Sequence, residues 1–188
     1  MNENQNAINK RHGDIERLNR INFRPILQAI SRPGSLHSIE FHDNSGILAT
    51  AMLLLYPSIY FYSNIDISWD LIAAVTGASQ GGSNTADYLF CREPCLKEIE
   101  VAKTGDTENP EKASTLLIEV NNFSSGVDVQ LSGPGIKNMK QCTLPISKEL
   151  ITARAEKNKS FPMGIDLFFL SSKKEIMGLP RTTKVEIL

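Results

Sequence analysis

The most apolar stretch of the chain, residues 49–62, places the strongest constraint on its fold. A helix that spans a membrane needs about 20 consecutive apolar residues, and this stretch is shorter and is interrupted by Pro57. Proline ends a helix because it lacks a backbone N–H and its ring clashes with the preceding turn. The sequence therefore predicts a buried helix over 46–56, a turn at Pro57 and a short buried strand over 59–62.

Helical and strand patterns alternate along the rest of the chain. Apolar residues recur near helical spacing from Asp14 to Ile30, and Pro25 inside this segment predicts a kinked helix or two successive helices. Further helices are predicted at 66–75, 94–102 and 147–157. Strands are predicted at 36–41, 88–91, 115–120, 127–131, 165–170, 175–179 and 183–188. This alternation predicts a layered α/β fold with a mixed sheet.

The length of 188 residues suits one domain with its own hydrophobic core. Residues 1–12 are polar and Asn-rich, and we expect them to be disordered or loosely attached to a single domain over 13–188. This end of the chain lacks the apolar stretch of a signal peptide. Three cysteines are an odd, small number for the disulfide framework of a secreted protein. We therefore expect a cytoplasmic protein.

The charge of the chain limits the classes of partner that we expect it to bind. The formal net charge is −1, with acidic and basic residues interspersed. Proteins that bind nucleic acid usually carry a basic excess, because neutralising phosphates supplies much of their affinity. Single-sign runs, which would suggest a membrane surface, are missing from the sequence. We therefore expect neither nucleic acid nor a membrane as a partner.

The candidates for metal and phosphate sites are incomplete. Cys91 and Cys95 have the spacing of two ligands of a radical iron–sulfur motif, but the third cysteine is missing. His37 and His42 flank a predicted strand without a carboxylate at ligand spacing. The glycine-rich segment 77–84 lacks the lysine of a phosphate-binding P-loop, and a flexible connection is expected there. The sequence thus predicts no metal, no cofactor and no catalytic residue.

The C-terminal segment contains the most informative polar residues. Asp166 lies near the start of a predicted apolar strand, and Arg181, Thr182 and Thr183 lie between two strands. On adjacent strands, Asp166 and Arg181 could form an ion pair that holds a hairpin. Alternatively, the guanidinium could bind a phosphate or carboxylate with help from the two hydroxyls. The second interpretation would make the chain an enzyme or binding protein for a phosphorylated ligand.

Several segments of the sequence together resemble a known family. Residues 161–167 (FPMGIDL) and 179–186 (LPRTTKVE) resemble the C-terminal signature of the PhnH family, the H subunits of the bacterial carbon–phosphorus lyase core complex. Residues 23–34 (FRPILQAISRPG) resemble the opening helix and turn of that family. Residues 115–120 and 131–136 resemble its paired strands and glycine turn, so the resemblance extends over 20–188.

The resemblance implies a fold and a set of partners. The implied fold is a three-layer α/β/α sandwich with a mixed sheet, similar to the large domain of pyridoxal-phosphate-dependent transferases without the cofactor. The implied assembly is a homodimer that joins the G, I and J subunits, whose complex couples an alkylphosphonate to the ribose of ATP. The family assigns no catalytic residue to this subunit, which predicts a non-catalytic structural role. Helix 14–31 and the C-terminal strands are the expected contact regions. The candidate ligand- or partner-binding residues are Arg24, Asp166, Arg181, Thr182 and Thr183.

Overall fold

The computed structural model describes the backbone of residues 3–42 and 45–188 and the side chains of residues 13–42 and 45–188. The helices in these residues are α1 (Glu3–Ser31), α2 (Gly46–Leu54), α3 (Asp70–Thr76), α4 (Leu96–Val101) and α5 (Lys148–Lys157), with a 3-10 turn at Pro110–Lys112. The strands are β1 (Leu36–Ser38), β2 (Tyr60–Ser63), β3 (Ser79–Gln80), β4 (Tyr88–Arg92), β5 (Thr115–Val120), β6 (Val127–Ser132), β7 (Lys140–Leu144), β8 (Asp166–Ser171), β9 (Glu175–Leu179) and β10 (Lys184–Ile187).

Seven strands form one mixed sheet, in the order β1-β9-β8-β5-β4-β2-β3. The strands β2, β3, β4, β5 and β8 are parallel, whereas β9 is antiparallel to β8 on one side and to β1 on the other. Parallel strands are covered on both faces and therefore contain continuous apolar runs. That pattern is why β5 and β8 were predictable, and the mixed sheet is confirmed.

The large sheet separates two hydrophobic cores, because successive side chains of a strand point to opposite faces. Phe90 lies in the core beneath α1, α2 and α3. Its neighbours Leu89 and Cys91 lie in the other core, together with apolar residues of α4 and α5. All three side chains are fully buried. The predicted layered α/β arrangement, with helices on both faces of the sheet, is therefore confirmed.

A second, antiparallel sheet has the strand order β10-β6-β7. Its buried side chains Val129, Leu131 and Leu144 belong to the same core as α4 and α5. The layer that covers this face of the large sheet therefore consists of α4, α5 and the small sheet. The sequence predicted one mixed sheet and not this second sheet. The strand β7 was not predicted, because its short apolar alternation is limited to Cys142 and Leu144.

The long helix α1 is continuous through Pro25 and is not divided into two helices. Its assigned range begins at Glu3, before the start predicted at Asp14. The expected loose attachment of residues 1–12 stays a prediction, because their side chains lie outside the described part of the chain. None of the helices in the described residues is both long and apolar enough to cross a membrane.

Two contacts fix α1, one with the loop that follows β1 and one with β9. The buried side chain of Asn22 donates a hydrogen bond of 2.9 Å to the carbonyl oxygen of Glu40 and accepts one of 2.8 Å from its N–H. At Gly178 of β9, a Cβ would lie 2.5 Å from the carbonyl oxygen of Ala29 in α1. Only glycine allows the helix to approach the strand this closely.

Local capping agrees with the sequence in the second half of the chain. The hydroxyl of Ser147 accepts a hydrogen bond from the N–H of Leu150 and so caps α5, as predicted.

The glycine-rich segment 77–84 is more than a flexible connection. It includes β3, which pairs in parallel with β2.

Candidate functional site

An apolar groove of about 300 Å³ lies where α1 and α2 meet the first residues of three parallel strands. Those first residues, Tyr88, Thr115 and Asp166, stand side by side in the register of the sheet. Open α/β sheets usually bind small ligands outside the carboxyl ends of their strands. This groove lies at the opposite, amino-terminal edge. Its apolar lining includes Phe23, Ile26, Leu27, Leu53, Leu54 and Phe168.

The helix α1 presents unburied apolar side chains at the groove. Phe23 and Leu27 are 60% and 50% exposed, although Ile26 between them is only 6% exposed. Residues four apart on a helix lie on the same face. Phe23 and Leu27 therefore form one exposed apolar strip beside the groove, a feature that often marks an interaction site.

Arginine side chains follow this strip along the outer face of α1. Arg17, Arg20 and Arg24 are all exposed, and their spacings of three and four residues place them on one side of the helix. Within the described part of the chain, none of these guanidinium groups forms an ion pair with a carboxylate. The apolar strip is therefore bordered by positive charge.

Asp166 and Arg181 form a tight pair at one end of the groove. Nη2 and Nε of Arg181 donate to Oδ2 of Asp166 at 2.6 and 3.1 Å, and the backbone N–H of Arg181 donates to Oδ1 at 2.6 Å. Nη1 of Arg181 donates to the carbonyl oxygen of Pro110 at 2.7 Å. The two side chains are only 15% and 20% exposed. This geometry favours the ion-pair interpretation over a guanidinium that is open to a ligand.

The other predicted site residues lie in different surroundings. Thr183 is buried, and its N–H donates to the carbonyl oxygen of Pro180 at 2.9 Å, which closes the turn. Thr182 is half-buried in the same turn. Arg24 lies on α1, next to Phe23 of the groove. The structure therefore joins Asp166, Arg181 and the two threonines in one corner and places Arg24 on a different element. Their predicted role in binding a ligand or partner stays a prediction.

The sequence interpretation missed Arg154 of α5, which supports the same turn from the interior. Arg154 is 2% exposed, and its Nη2 donates to the carbonyl oxygens of Pro180 at 2.7 Å and Thr183 at 3.2 Å. Burial lowers the pKa of Arg154 to about 10, whereas the nearby charge of Asp166 opposes this shift. Arg154 lies four residues after Leu150 and three after Ile151, so the helical spacing of α5 places it on the buried face. That spacing predicts a buried position, but only the fold shows that the turn is its partner.

The cysteines singled out in the sequence are buried. Cys91 and Cys95 are both fully buried, and burial raises the pKa of Cys95 to about 12 and also raises the pKa of Cys91. Thiols with raised pKa values are poor nucleophiles and poor metal ligands, since the thiolate is the reactive form. Among the described residues, no group of three or more His, Cys, Asp or Glu side chains is placed to hold a metal ion.

Two segments that carry the family resemblance pack directly on each other. A Cβ at Gly135, in the glycine turn 131–136, would collide with the carbonyl oxygen of Ser31 at the end of α1. Gly135 also has a φ of 84°, which favours glycine. The glycine turn is therefore explained by close packing between the small sheet and α1.

Comparisons with known proteins agree with these segments. The model of the family described as "Bacterial phosphonate metabolism protein (PhnH)" matches residues 15–186. The alpha-D-ribose 1-methylphosphonate 5-triphosphate synthase subunit PhnH of Rhizobium meliloti (strain 1021) is 35% identical over 181 residues, covering 87% of this chain and 88% of that protein. The putative C-P lyase subunit protein HtxG of Stutzerimonas stutzeri is 27% identical over 167 residues, covering 88% of this chain and 84% of that protein. The chain belongs to the PhnH family of bacterial phosphonate metabolism proteins.

Proposed function

We propose that this chain is a non-catalytic structural subunit of a carbon–phosphorus lyase complex. In this role it is needed for the coupling of an alkylphosphonate to the ribose of ATP. The names of two relatives support the proposal, because one is a subunit of a ribose methylphosphonate triphosphate synthase and the other a putative C-P lyase subunit. The chain acts through the surfaces that it offers to other subunits, while those subunits supply the reacting groups.

The contacts of Arg181 support the structural role most directly. An arginine that binds phosphate uses its planar fork of N–H donors for the ligand. The fork of Arg181 is already directed at Asp166, and its remaining Nη1 donates to Pro110. A phosphorylated ligand at Arg181 would have to displace the carboxylate of Asp166, which is mostly buried. Asp166 would then be a buried charge without a partner, which is unfavourable. The geometry therefore favours a structural corner over a binding site for a phosphorylated ligand.

The proposal also covers the oligomeric state, the partner subunits and the location of the chain. We infer a homodimer that joins the G, I and J subunits in the cytoplasm. Exposed apolar side chains on α1 and at the C-terminus, where Ile187 and Leu188 are 40% and 63% exposed, support the presence of contact surfaces. The mixed sheet lies between two covering layers, which supports a structural similarity to the large domain of pyridoxal-phosphate-dependent transferases. In this proposal the chain has that fold but does not bind the cofactor.

Co-expression with the G, I and J subunits, followed by mass measurement of the purified particle, tests the proposal. We expect the chain alone to run as a dimer in size-exclusion chromatography with light scattering, and to enter a larger particle when the other subunits are present. A strict monomer that does not co-purify with any of them would contradict the proposal.

A further inference from the structure

We propose that the groove between α1 and α2 binds a companion subunit through an apolar segment that is flanked by acidic side chains. This inference rests on the proposed function, and it names the docking surface and the chemistry of the segment that fits it. The apolar side chains of that segment fill the groove, and its carboxylates face the arginines of α1.

The apolar part of the surface is built on a rigid base. Ile26 and Phe168 are 6% and 5% exposed and belong to the core beneath the groove, whereas Phe23 and Leu27 remain 60% and 50% exposed at its rim. Removing apolar surface from water stabilises a complex by roughly 25 cal/mol per Å². A partner that covers the rim therefore gains affinity without unpacking the core of the chain.

The charge of the rim selects the partner. Arg17, Arg20 and Arg24 border the apolar strip, and none of them forms an ion pair within the described residues. Asp166 is the acidic residue of the groove lining, and Arg181 already neutralises it. Exposed Glu16 lies four residues before Arg20 on the same face, so the three arginines leave an excess of positive charge on this side of α1, although the whole chain has a net charge of −1. Complementary potentials favour a partner with carboxylates at these positions.

The same charges disfavour a second copy of the chain as the occupant. In a two-fold contact, one surface patch packs on its own equivalent. A two-fold contact centred between Phe23 and Leu27 would bring Arg24 of one copy close to Arg24 of the other. Like charges placed together in a contact are unfavourable. The homodimer that we infer should therefore use a different surface.

Two double variants test the two parts of the surface separately. Phe23→Ser with Leu27→Ser removes the apolar strip, and Arg20→Glu with Arg24→Glu reverses the charge of the rim. Matched controls are Leu71→Ser on α3, where Leu71 is 44% exposed, and Lys97→Glu on the exposed surface of α4. Binding of each chain to purified G, I and J subunits is measured by biolayer interferometry, and circular dichroism checks the fold.

We expect both double variants to weaken binding to the same subunit by about tenfold or more, which is about 1.4 kcal/mol. The controls should stay within about twofold of the wild-type affinity, because they change surface residues away from the groove. The loss caused by charge reversal should shrink between about 0.05 M and about 0.5 M NaCl, since salt screens exposed charges.

The outcomes separate this inference from the proposed function. If the wild-type chain binds a subunit and both double variants bind it equally well, the groove is not the docking surface, and the proposed function stands. If the apolar double variant weakens binding and the charge-reversal variant does not, the inference that the partner segment is acidic is wrong. A double variant that becomes monomeric while keeping its affinity for the subunits would assign the groove to a second copy. A wild-type chain that binds none of the three subunits would overturn both proposals.

Discussion

Arg181 and Arg24 both lie in segments that carry the family resemblance, yet their surroundings are opposite. Arg181 is mostly buried, and its donors are used by Asp166 and Pro110. Arg24 is exposed on α1 and forms no ion pair with the described residues. Changes in the corner around Arg181 should therefore affect the stability of the chain, whereas changes at the rim around Arg24 should affect binding. Residue type alone does not separate these two roles, and the contacts do.

The largest expected effect is that of Asp166→Ala. This change leaves the guanidinium of Arg181 mostly buried without its carboxylate, which should lower the free energy of unfolding by about 3 kcal/mol. Arg24→Ala is the control and should lower it by less than about 0.5 kcal/mol, because surface changes are usually small. Urea denaturation measures both. Equal losses for the two variants would contradict the distinction between corner and rim.

Neighbouring residues of α1 provide a second comparison. Ile26 is buried at 6% exposure, and Ile26→Ala should lower the free energy of unfolding by about 2 kcal/mol through lost burial and a cavity. Leu27 is half exposed, and Leu27→Ala should cost less than about 1 kcal/mol. The same denaturation experiment measures both variants. A larger loss for Leu27 than for Ile26 would show that the exposed strip is packed inside the chain.

The pH dependence of stability tests a further half-buried side chain, that of His37 on β1. Burial, together with the charges of Arg32 and Lys140, lowers the pKa of His37. The unfolded chain then binds a proton at His37 more readily than the folded chain does. The stability due to neutral His37 is present above the unfolded pKa of about 6.5 and is lost as the pH falls toward the lower folded pKa. His37→Gln should flatten this part of the stability curve, measured by urea denaturation from about pH 7.5 to about pH 5. An unchanged slope would show that His37 does not contribute.

The smallest expected signal is that of a phosphorylated ligand at the closed corner. Titration of ATP, an alkylphosphonate or pyridoxal phosphate into the isolated chain should give no heat of binding, because Arg181 is already satisfied. The aldimine absorbance of pyridoxal phosphate should also be missing. Stoichiometric binding that is lost in a Thr182→Ala, Thr183→Ala variant would instead support the alternative function at the Arg181 turn.

Elements with a strong local pattern were predictable from the sequence. The apolar runs 115–120 and 165–170 predicted β5 and β8, because strands covered on both faces need apolar side chains throughout. Ser147 predicted the start of α5, because its hydroxyl caps the first free N–H groups. The sequence offered the pairing of Asp166 with Arg181 as one of two interpretations. This pairing was predictable because it needs only two neighbouring strands that place the acid and the base side by side.

Elements that depend on distant partners were not predictable. The strand β3 has two polar residues, and its pairing with β2 provides its hydrogen bonds. The hydrogen-bond partners of Arg154 lie in a turn that begins 26 residues further along the chain, which the local pattern of α5 does not show. The groove was also missed, because Phe23 and Leu27 continue the apolar spacing of α1 and look like core residues. Only the packing of α1 shows that its apolar face is wider than the sheet beneath it.

The activity of the assembled complex tests most directly whether the chain is a non-catalytic subunit. A complex that contains Asp166→Asn with Arg181→Gln loses both charges of the ion pair at once, while Arg154 keeps its hydrogen bonds to the carbonyl oxygens of Pro180 and Thr183. Turnover of ATP and an alkylphosphonate is measured per particle, after its composition has been checked by mass. We predict that kcat stays within about twofold of the wild-type value. A fall of about a hundredfold or more in a particle of unchanged composition, which is the effect of removing a catalytic acid or base, would contradict the structural role.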